Sequence, residues 1–225
     1  MNGVYVVIPA FNEEKKIGQV VQDVLQHGYS NIIVVDDGSE DATGTVAKTA
    51  GAIAITHRLN RGKGAATRTG IVAASQFGAN VVVTIDGDGQ HFPSDIPSLI
   101  EPIMRGECDV VLGYRPFVQS SMPWHKITHN VIANGVTAMY AGIRVKDSQS
   151  GLRAYSNRAC QLLDTKSDSY EYESEIIHLI AVHKLSFQEV PISVAYTEYS
   201  KNKIHKQNIS NGIKTVYKMI FNRLS

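Results

Sequence analysis

Two carboxylates one residue apart, followed by an amide, are the side chains of this sequence best suited to a divalent cation: Asp86-Gly87-Asp88-Gly89-Gln90-His91. The stretch directly follows an apolar run at 81–85, which puts Asp86 and Asp88 at a strand end where both can reach one ion. Gly87 and Gly89 permit the turn, and Gln90 adds a neutral oxygen. Hard oxygen ligands of this kind suit Mg²⁺ or Mn²⁺. A cation so held would bridge a diphosphate and stabilise the charge that builds on it as it leaves. The competing reading is a surface turn in which Asp and Gly only set local geometry.

Three further segments carry polar chemistry at strand ends. Val34-Val35-Asp36-Asp37-Gly38-Ser39 offers carboxylates, Asp37 above all, that can accept hydrogen bonds from a base and a ribose, with Ser39 beside them. Pro9-Ala10-Phe11-Asn12-Glu13-Glu14 closes the first apolar run and opens a helical one, so its helix-start amides and Asn12 are candidates to meet a nucleotide. Glu13 and Glu14 equally suit the positive end of a helix dipole. Asn60-Arg61-Gly62-Lys63-Gly64 sets two cations at another helix start, a favourable place for anions, and Lys63 is the candidate phosphate contact. It is neither a Walker loop nor a complete GxGxxG.

The elements that must position these residues alternate. Short β-branched runs at 4–8, 32–35, 53–56, 81–85 and 110–112 read as strands, and 13–26, 42–50, 63–77 and 95–104 as helices, with Asp41 and Ser94 as N-caps. This is the pattern of an α/β fold with a Rossmann-like, mostly parallel sheet flanked by helices. In such sheets ligands bind beyond the carboxyl ends of the strands, where Asn12, Asp36, Asp37, Asp86 and Asp88 converge. The second half is less regular: 123–140 and 173–183 read as helical, 150–156 as strand-like, and 187–194 as one or two edge strands.

Six blocks, VVIPAFNEE, IIVVDDGSEDAT, NRGKGAATRTG, TIDGDGQH, VVLGYR and DSQSGLRAY, follow in order across residues 4–197. Together they resemble the GT-A fold inverting glycosyltransferases of family 2, in particular dolichol-phosphate mannose synthases and related polyprenyl-phosphate glycosyltransferases. The resemblance implies transfer of a hexose from a nucleotide-diphosphate sugar, of GDP-mannose or UDP-glucose type, to a polyprenyl or dolichyl phosphate. It further implies that Pro9, Ala10, Asn12, Glu13, Asp37 and Ser39 hold the donor, and that Asp86, Asp88 and Gln90 hold Mg²⁺ or Mn²⁺. Arg115 would meet phosphate oxygens, and Asp147 to Arg153 would line the acceptor end, with Asp88, Arg115, Asp147 and Arg153 forming the catalytic group.

The chain departs from that pattern twice. Where relatives carry a second phosphate-binding Arg in a later helix, it offers His125, Lys126 and His129. Near the end, Lys201 and Lys203 are expected to replace a missing cation near the acceptor, although a lysine lacks the bidentate fork of an arginine. An alternative acceptor, a neutral sugar hydroxyl, would need a carboxylate base, for which Asp147, Glu173 and Glu175 are the candidates. A non-catalytic nucleotide-sugar binding module and a sugar-phosphate nucleotidyltransferase are the other classes. The intact acidic triplet speaks against the first, and the absence of a Gly-rich loop after the first strand against the second.

Charge and composition set the remaining expectations. Of 225 residues, 43% are hydrophobic and 19% charged, a globular balance with a net charge of +1. Residues 199–225 carry six Lys/Arg and no Asp/Glu. Within them Ile209, Ile213, Val216, Ile220 and Leu224 recur at helical spacing opposite Lys206, Lys214, Lys218 and Arg223. The expected organisation is a catalytic domain over residues 1–198 and a basic amphipathic segment over 199–225. No window approaches the ~18 apolar residues of a membrane span, and the N-terminus has no signal-peptide pattern. The expectation is a cytoplasmic protein, peripheral at the cytoplasmic face of a membrane and docked by its tail or by a membrane-anchoring protein, with no nucleic-acid partner. Cys108 and Cys160 lack the spacing of a redox or zinc centre.

Overall fold

A computed structural model describes residues 3–116, 124–169 and 171–195, with backbone alone at 124–130. Lys201, Lys203 and the amphipathic stretch lie outside the described residues, as do the side chains of His125, Lys126 and His129. Seven strands form one sheet: β1 (Val4–Ala10), β2 (Ile32–Asp36), β3 (Ile53–Thr56), β4 (Val81–Thr84), β5 (Val110–Tyr114), β6 (Arg153–Ser156) and β7 (Phe187–Pro191). The helices are α1 (Ile17–Gln26), α2 (Thr43–Thr49), α3 (Lys63–Gln76), α4 (Ile96–Met104), α5 (Trp124–Ala141), α6 (Asn157–Leu162) and α7 (Glu171–Val182). The spatial order is β3-β2-β1-β4-β6-β5-β7. All pairings are parallel except those of β6, which runs against both β4 and β5.

Alternate residues of each central strand feed opposite faces. Val6 and Ile8 of β1 and Ile32 and Val34 of β2 enter the cluster shared with Ile17, Val20, Val21 and Val24 of α1 and Leu99 of α4. Val7, Ile33 and Val35 face the other way, onto Ala66, Ile71 and Ala74 of α3 and Ile176, Ile177 and Ile180 of α7. Each fully buried aliphatic side chain contributes about 1.5–3 kcal/mol, which makes this two-faced burial the main force holding the layers. Cys108 is buried and Cys160 half-buried, both as free thiols, and burial pushes Cys160 up to about 12, so neither is poised as a nucleophile.

The topology explains why the site gathers where it does. The carboxyl ends of β1, β2, β4 and β5 share one edge of the sheet. Because β6 is antiparallel, its first residue, Arg153, also lies at that edge, and the preceding segment 147–152 is delivered beside the end of β4 through the pairing of Thr84 with Arg153. Three details differ from the sequence expectation. Ala42, not Asp41, holds the cap position of α2, although the Asp41 carboxylate accepts from Thr43 N. The first helix begins at Ile17 rather than near residue 13, because the Asn12, Glu13 and Glu14 amides are drawn to Ser39 Oγ, Thr43 Oγ1 and the Asp41 carboxylate instead of a helical turn. Ser94 falls in a 3₁₀ turn, Pro93–Asp95, and caps no α-helix.

Gly70 of α3 marks the closest approach of helix to sheet: a Cβ there would lie 2.3 Å from Val7 Cγ1. Overpacking of about 1–3 kcal/mol exceeds the ~1 kcal/mol helix-propensity gain of alanine. Gly70→Ala is therefore expected to lower Tm by several degrees in a thermal melt, and an unchanged or raised Tm would contradict the packing described.

Candidate active site

At the sheet edge, Asp86 stands two residues beyond β4, Lys63 is the first residue of α3 and Glu173 lies in the first turn of α7. Lys63 Nζ is 2.7 Å from Asp86 Oδ1 and 3.0 Å from Glu173 Oε1. His91 Nε2 approaches Asp86 Oδ2 at 3.3 Å. Burial alone would lower the Lys63 pKa and raise that of Asp86. The attraction between the pair, helped by Glu173 on one side and His91 on the other, overrides it, holding Lys63 well above the usual lysine range and Asp86 well below the usual carboxylate range. The stabilisation from Lys63 is lost only as pH rises through its raised value, and that from Asp86 only as pH falls through its lowered one. From about pH 5 to 9 both stay charged.

Asp88 accepts from Gln90 N at 3.0 Å and from Gln90 Nε2, so its carboxylate is engaged only within its own turn. The donor set Asp86, Asp88 and Gln90 thus fits a hard divalent cation: two carboxylates and an amide oxygen at one strand end, with Asp88 free of any cationic partner in these contacts. Among the described residues no group of three or more His, Cys, Asp and Glu could hold a metal by itself, so further oxygens, such as those of a diphosphate, would complete the coordination.

Asp37 is 3% exposed. Its Oδ1 accepts from Arg61 N at 3.1 Å and meets His57 Nδ1 at 2.7 Å, while Oδ2 accepts from Gly62 N at 2.6 Å. The residue expected to touch the nucleoside therefore also clamps the loop that leads into α3. The other helix-start amides expected to greet an anion are likewise taken: Gly64 N and Ala65 N donate to Asp168 O. Arg68 fastens the same segment by donating to Thr165 O and the Asp168 carboxylate. Asn12 and Ser39 bond to each other's loops, Asn12 N to Ser39 Oγ and Glu40 N to Asn12 Oδ1, so they join β1 to β2 at this edge, beside the buried Glu13. Pro9 lines the same small cavity as Lys63 and Asp86, and Ala10 ends β1 next to Gly87.

On the far side of the edge, Arg115 grips Asp147 through two bonds, Nε to Oδ2 at 2.6 Å and Nη2 to Oδ1 at 2.9 Å. Arg153, expected to contact the acceptor, is 1% exposed and donates to the carbonyls of Ser150, Ser148 and Glu173. A guanidinium so placed holds the 148–151 loop and the start of α7 in position rather than projecting into open cleft. Glu175 accepts from the amides of Lys166 and Ser167 and is a loop fastener. His57, which had no assigned role in the sequence, belongs to the site by bridging Asp37 and Thr69 Oγ1, and Glu173, a candidate there only as a base, enters it as the partner of Lys63. The position of His57 directly after β3, at the ligand edge, was the available signal for the first. For Glu173 no local pattern points to a lysine 110 positions earlier.

The model of "Glycosyl transferase family 2" matches residues 5–163, most of the chain. The chain is a member of this family. It is a glycosyltransferase with a fold of GT-A type. Among relatives, it is 38% identical to a UDP-N-acetylglucosamine--dolichyl-phosphate N-acetylglucosaminyltransferase of Methanococcus voltae, over 96% of this chain and 94% of that one. It is 28% identical to a polyprenol monophosphomannose synthase of Mycolicibacterium smegmatis, over 91% and 82% of the two chains. The glucosyl-3-phosphoglycerate synthase of Mycobacterium tuberculosis, solved with Mn²⁺, UDP and glucosyl-3-phosphoglycerate, shares the fold with a TM-score of 0.69 at 22% identity, covering 96% of this chain and 77% of that one.

Gly151 leaves room for the Asp86 carboxylate, since a Cβ there would lie 2.4 Å from Asp86 Oδ1 and 2.6 Å from Oδ2. Displacement of a reacting group by about 1 Å can cost roughly 100-fold in rate. Gly151→Ala is expected to cut sugar transfer by about 10- to 100-fold in a radiolabel assay while the far-ultraviolet circular dichroism is retained. Full activity in that variant would mean that Asp86 need not sit where it does.

Proposed function

We propose that the chain transfers a sugar, with inversion, from a nucleotide-diphosphate donor to the phosphate of a polyprenyl or dolichyl carrier, with Mg²⁺ or Mn²⁺ at Asp86, Asp88 and Gln90. One observation carries the choice of acceptor. Each of the three carboxylates that could serve as a base toward a neutral hydroxyl already holds a partner: Asp147 holds Arg115, Glu173 holds Lys63 through one of its two oxygens, and Glu175 holds two loop amides. An acceptor that arrives already ionised fits such a site. A phosphate monoester has a second pKa near ~6 and is largely dianionic at neutral pH, so it needs no strong base. The named activities of the two relatives support the same class of acceptor, and that of the more similar one favours UDP-N-acetylglucosamine over GDP-mannose or UDP-glucose as the first donor to test.

The chain's own residues then have two tasks. Asp37, Asn12 and Ser39 shape the edge where the nucleoside would lie, with Pro9, Ala10 and Glu13 behind them. Lys63 and Arg115 place positive charge at the diphosphate and the incoming phosphate, and Asp147 orients Arg115 by its bidentate grip. A bound divalent cation would neutralise charge on the departing nucleoside diphosphate. The acceptor oxygen attacks the anomeric carbon as the bond to the diphosphate breaks, which inverts the configuration. Asp88→Ala is expected to lower turnover at least about 100-fold. In the same assay the wild-type rate should fall on the acid side with an apparent pKa of about 6, set by the lipid phosphate. Near-normal transfer by the variant, or a flat acid limb, would overturn the reading.

The lipid acceptor requires access to a membrane. No helix among the described residues is long and apolar enough to cross one. We assign docking at the cytoplasmic face to the basic amphipathic segment 199–225, with Lys201 and Lys203 near the acceptor phosphate. Liposomes containing anionic lipid should float the full chain and not one lacking residues 204–225. Equal flotation of both would remove the segment from membrane docking.

A further inference from the structure

The contact between Lys63 and Asp86 is at odds with the metal site proposed above: an ammonium already sits 2.7 Å from the carboxylate that would bind the cation. Two positive charges on one carboxylate repel, which favours movement of the lysine when the metal arrives. Its backbone is held in place. The loop before it is clamped by the Asp37 carboxylate through Arg61 N and Gly62 N, and the residue after it is tied to Asp168 O. The ammonium can therefore change partner only by side-chain rotation. A second partner is already in contact at 3.0 Å, the Glu173 carboxylate, which is 5% exposed. Its other oxygen, Oε2, is buried without a hydrogen-bond partner, so Glu173 has unused capacity to accept the whole of the lysine. Lys63, Asp86 and Glu173 line one small cavity with Thr67 and Ser150.

We infer that Glu173 is a positioning residue that draws Lys63 off Asp86, so that the lysine occupies the cation site in the free protein and yields it to the divalent metal. The inference rests on the metal assignment of the preceding subsection. It predicts that Lys63 and Glu173 act on metal affinity in opposite directions, the lysine as competitor and the glutamate as the group that relieves the competition. It also predicts that the effect of Glu173 requires Lys63. A glutamate acting merely by its own negative charge would influence the metal whether or not the lysine were present.

The test is binding of Mn²⁺ to the full chain without donor, followed by the electron paramagnetic resonance of free Mn²⁺, in a double-mutant cycle. Lys63→Met is expected to bind Mn²⁺ several-fold more tightly than wild type, and Glu173→Gln several-fold more weakly. The double variant should match Lys63→Met within twofold. Unaltered affinity in Glu173→Gln, or the same loss on the Lys63→Met background, overturns the inference while leaving the metal site standing. A wild-type chain that takes up no Mn²⁺ at all removes the metal site and this role together. Should a variant not fold, a wild-type crystal soaked in Mn²⁺ decides: Lys63 Nζ bonded to Glu173 and parted from Asp86 supports the exchange, and Nζ still on Asp86 beside the metal refutes it.

Discussion

A single ammonium shared by two carboxylates from different elements is the interaction around which the rest of the site is arranged. Lys63 belongs to α3, Asp86 to the end of β4 and Glu173 to α7, so the ion pairs tie both helices to the strand that carries the acidic triplet. Taking such charges out of water costs several kcal/mol per ion unless each finds a partner. The surrounding contacts supply the geometry that makes the pairing possible: Asp37 and Asp168 fix the start of α3, and Arg153 holds the 148–151 loop and the start of α7.

The antiparallel strand is what brings a second group of residues to the edge where the parallel strands end. In a wholly parallel arrangement the residues after β4 would reach the edge only by strand ends. Here β6 enters the sheet from that edge, bringing Asp147 to Leu152 across from the residues of β1 and β2. Arg115, at the end of β5, then meets Asp147 and holds a fixed cation opposite the acidic loop. The residues after β1, β2 and β4 and the segment before β6 thus gather at one edge of the same sheet, with β4 and β6 paired side by side.

Much of the frame was legible in the sequence because its signal is local. Continuous apolar runs ending in Asp or Asn reported both the central strands and the edge at which the polar side chains gather, and the Asp86 to Gln90 turn followed from residue type and spacing. Side-chain partnership was not legible, since it depends on distant segments. Nothing near Lys63 announces Glu173, and nothing in SGLRAYS distinguishes an arginine offered to an acceptor from one buried on three carbonyls. The loop amides misled for a related reason: they resemble an anion site until Asp37, Ser39, Thr43 and Asp168 are seen to occupy them. The short helix α6 was absent from the sequence reading because six residues carry too little periodicity to stand out.

In the proposed reaction these contacts serve one chemical event, attack by a lipid phosphate oxygen on the anomeric carbon of a nucleotide sugar. Nuclear magnetic resonance of the organic-soluble product made from UDP-N-acetylglucosamine and a polyprenyl phosphate reads that event most directly. A sugar joined to the lipid through a single phosphate, with the anomeric configuration opposite to that of the donor, is the predicted result. A product of retained configuration, or one linked through a diphosphate or a sugar hydroxyl, would contradict it.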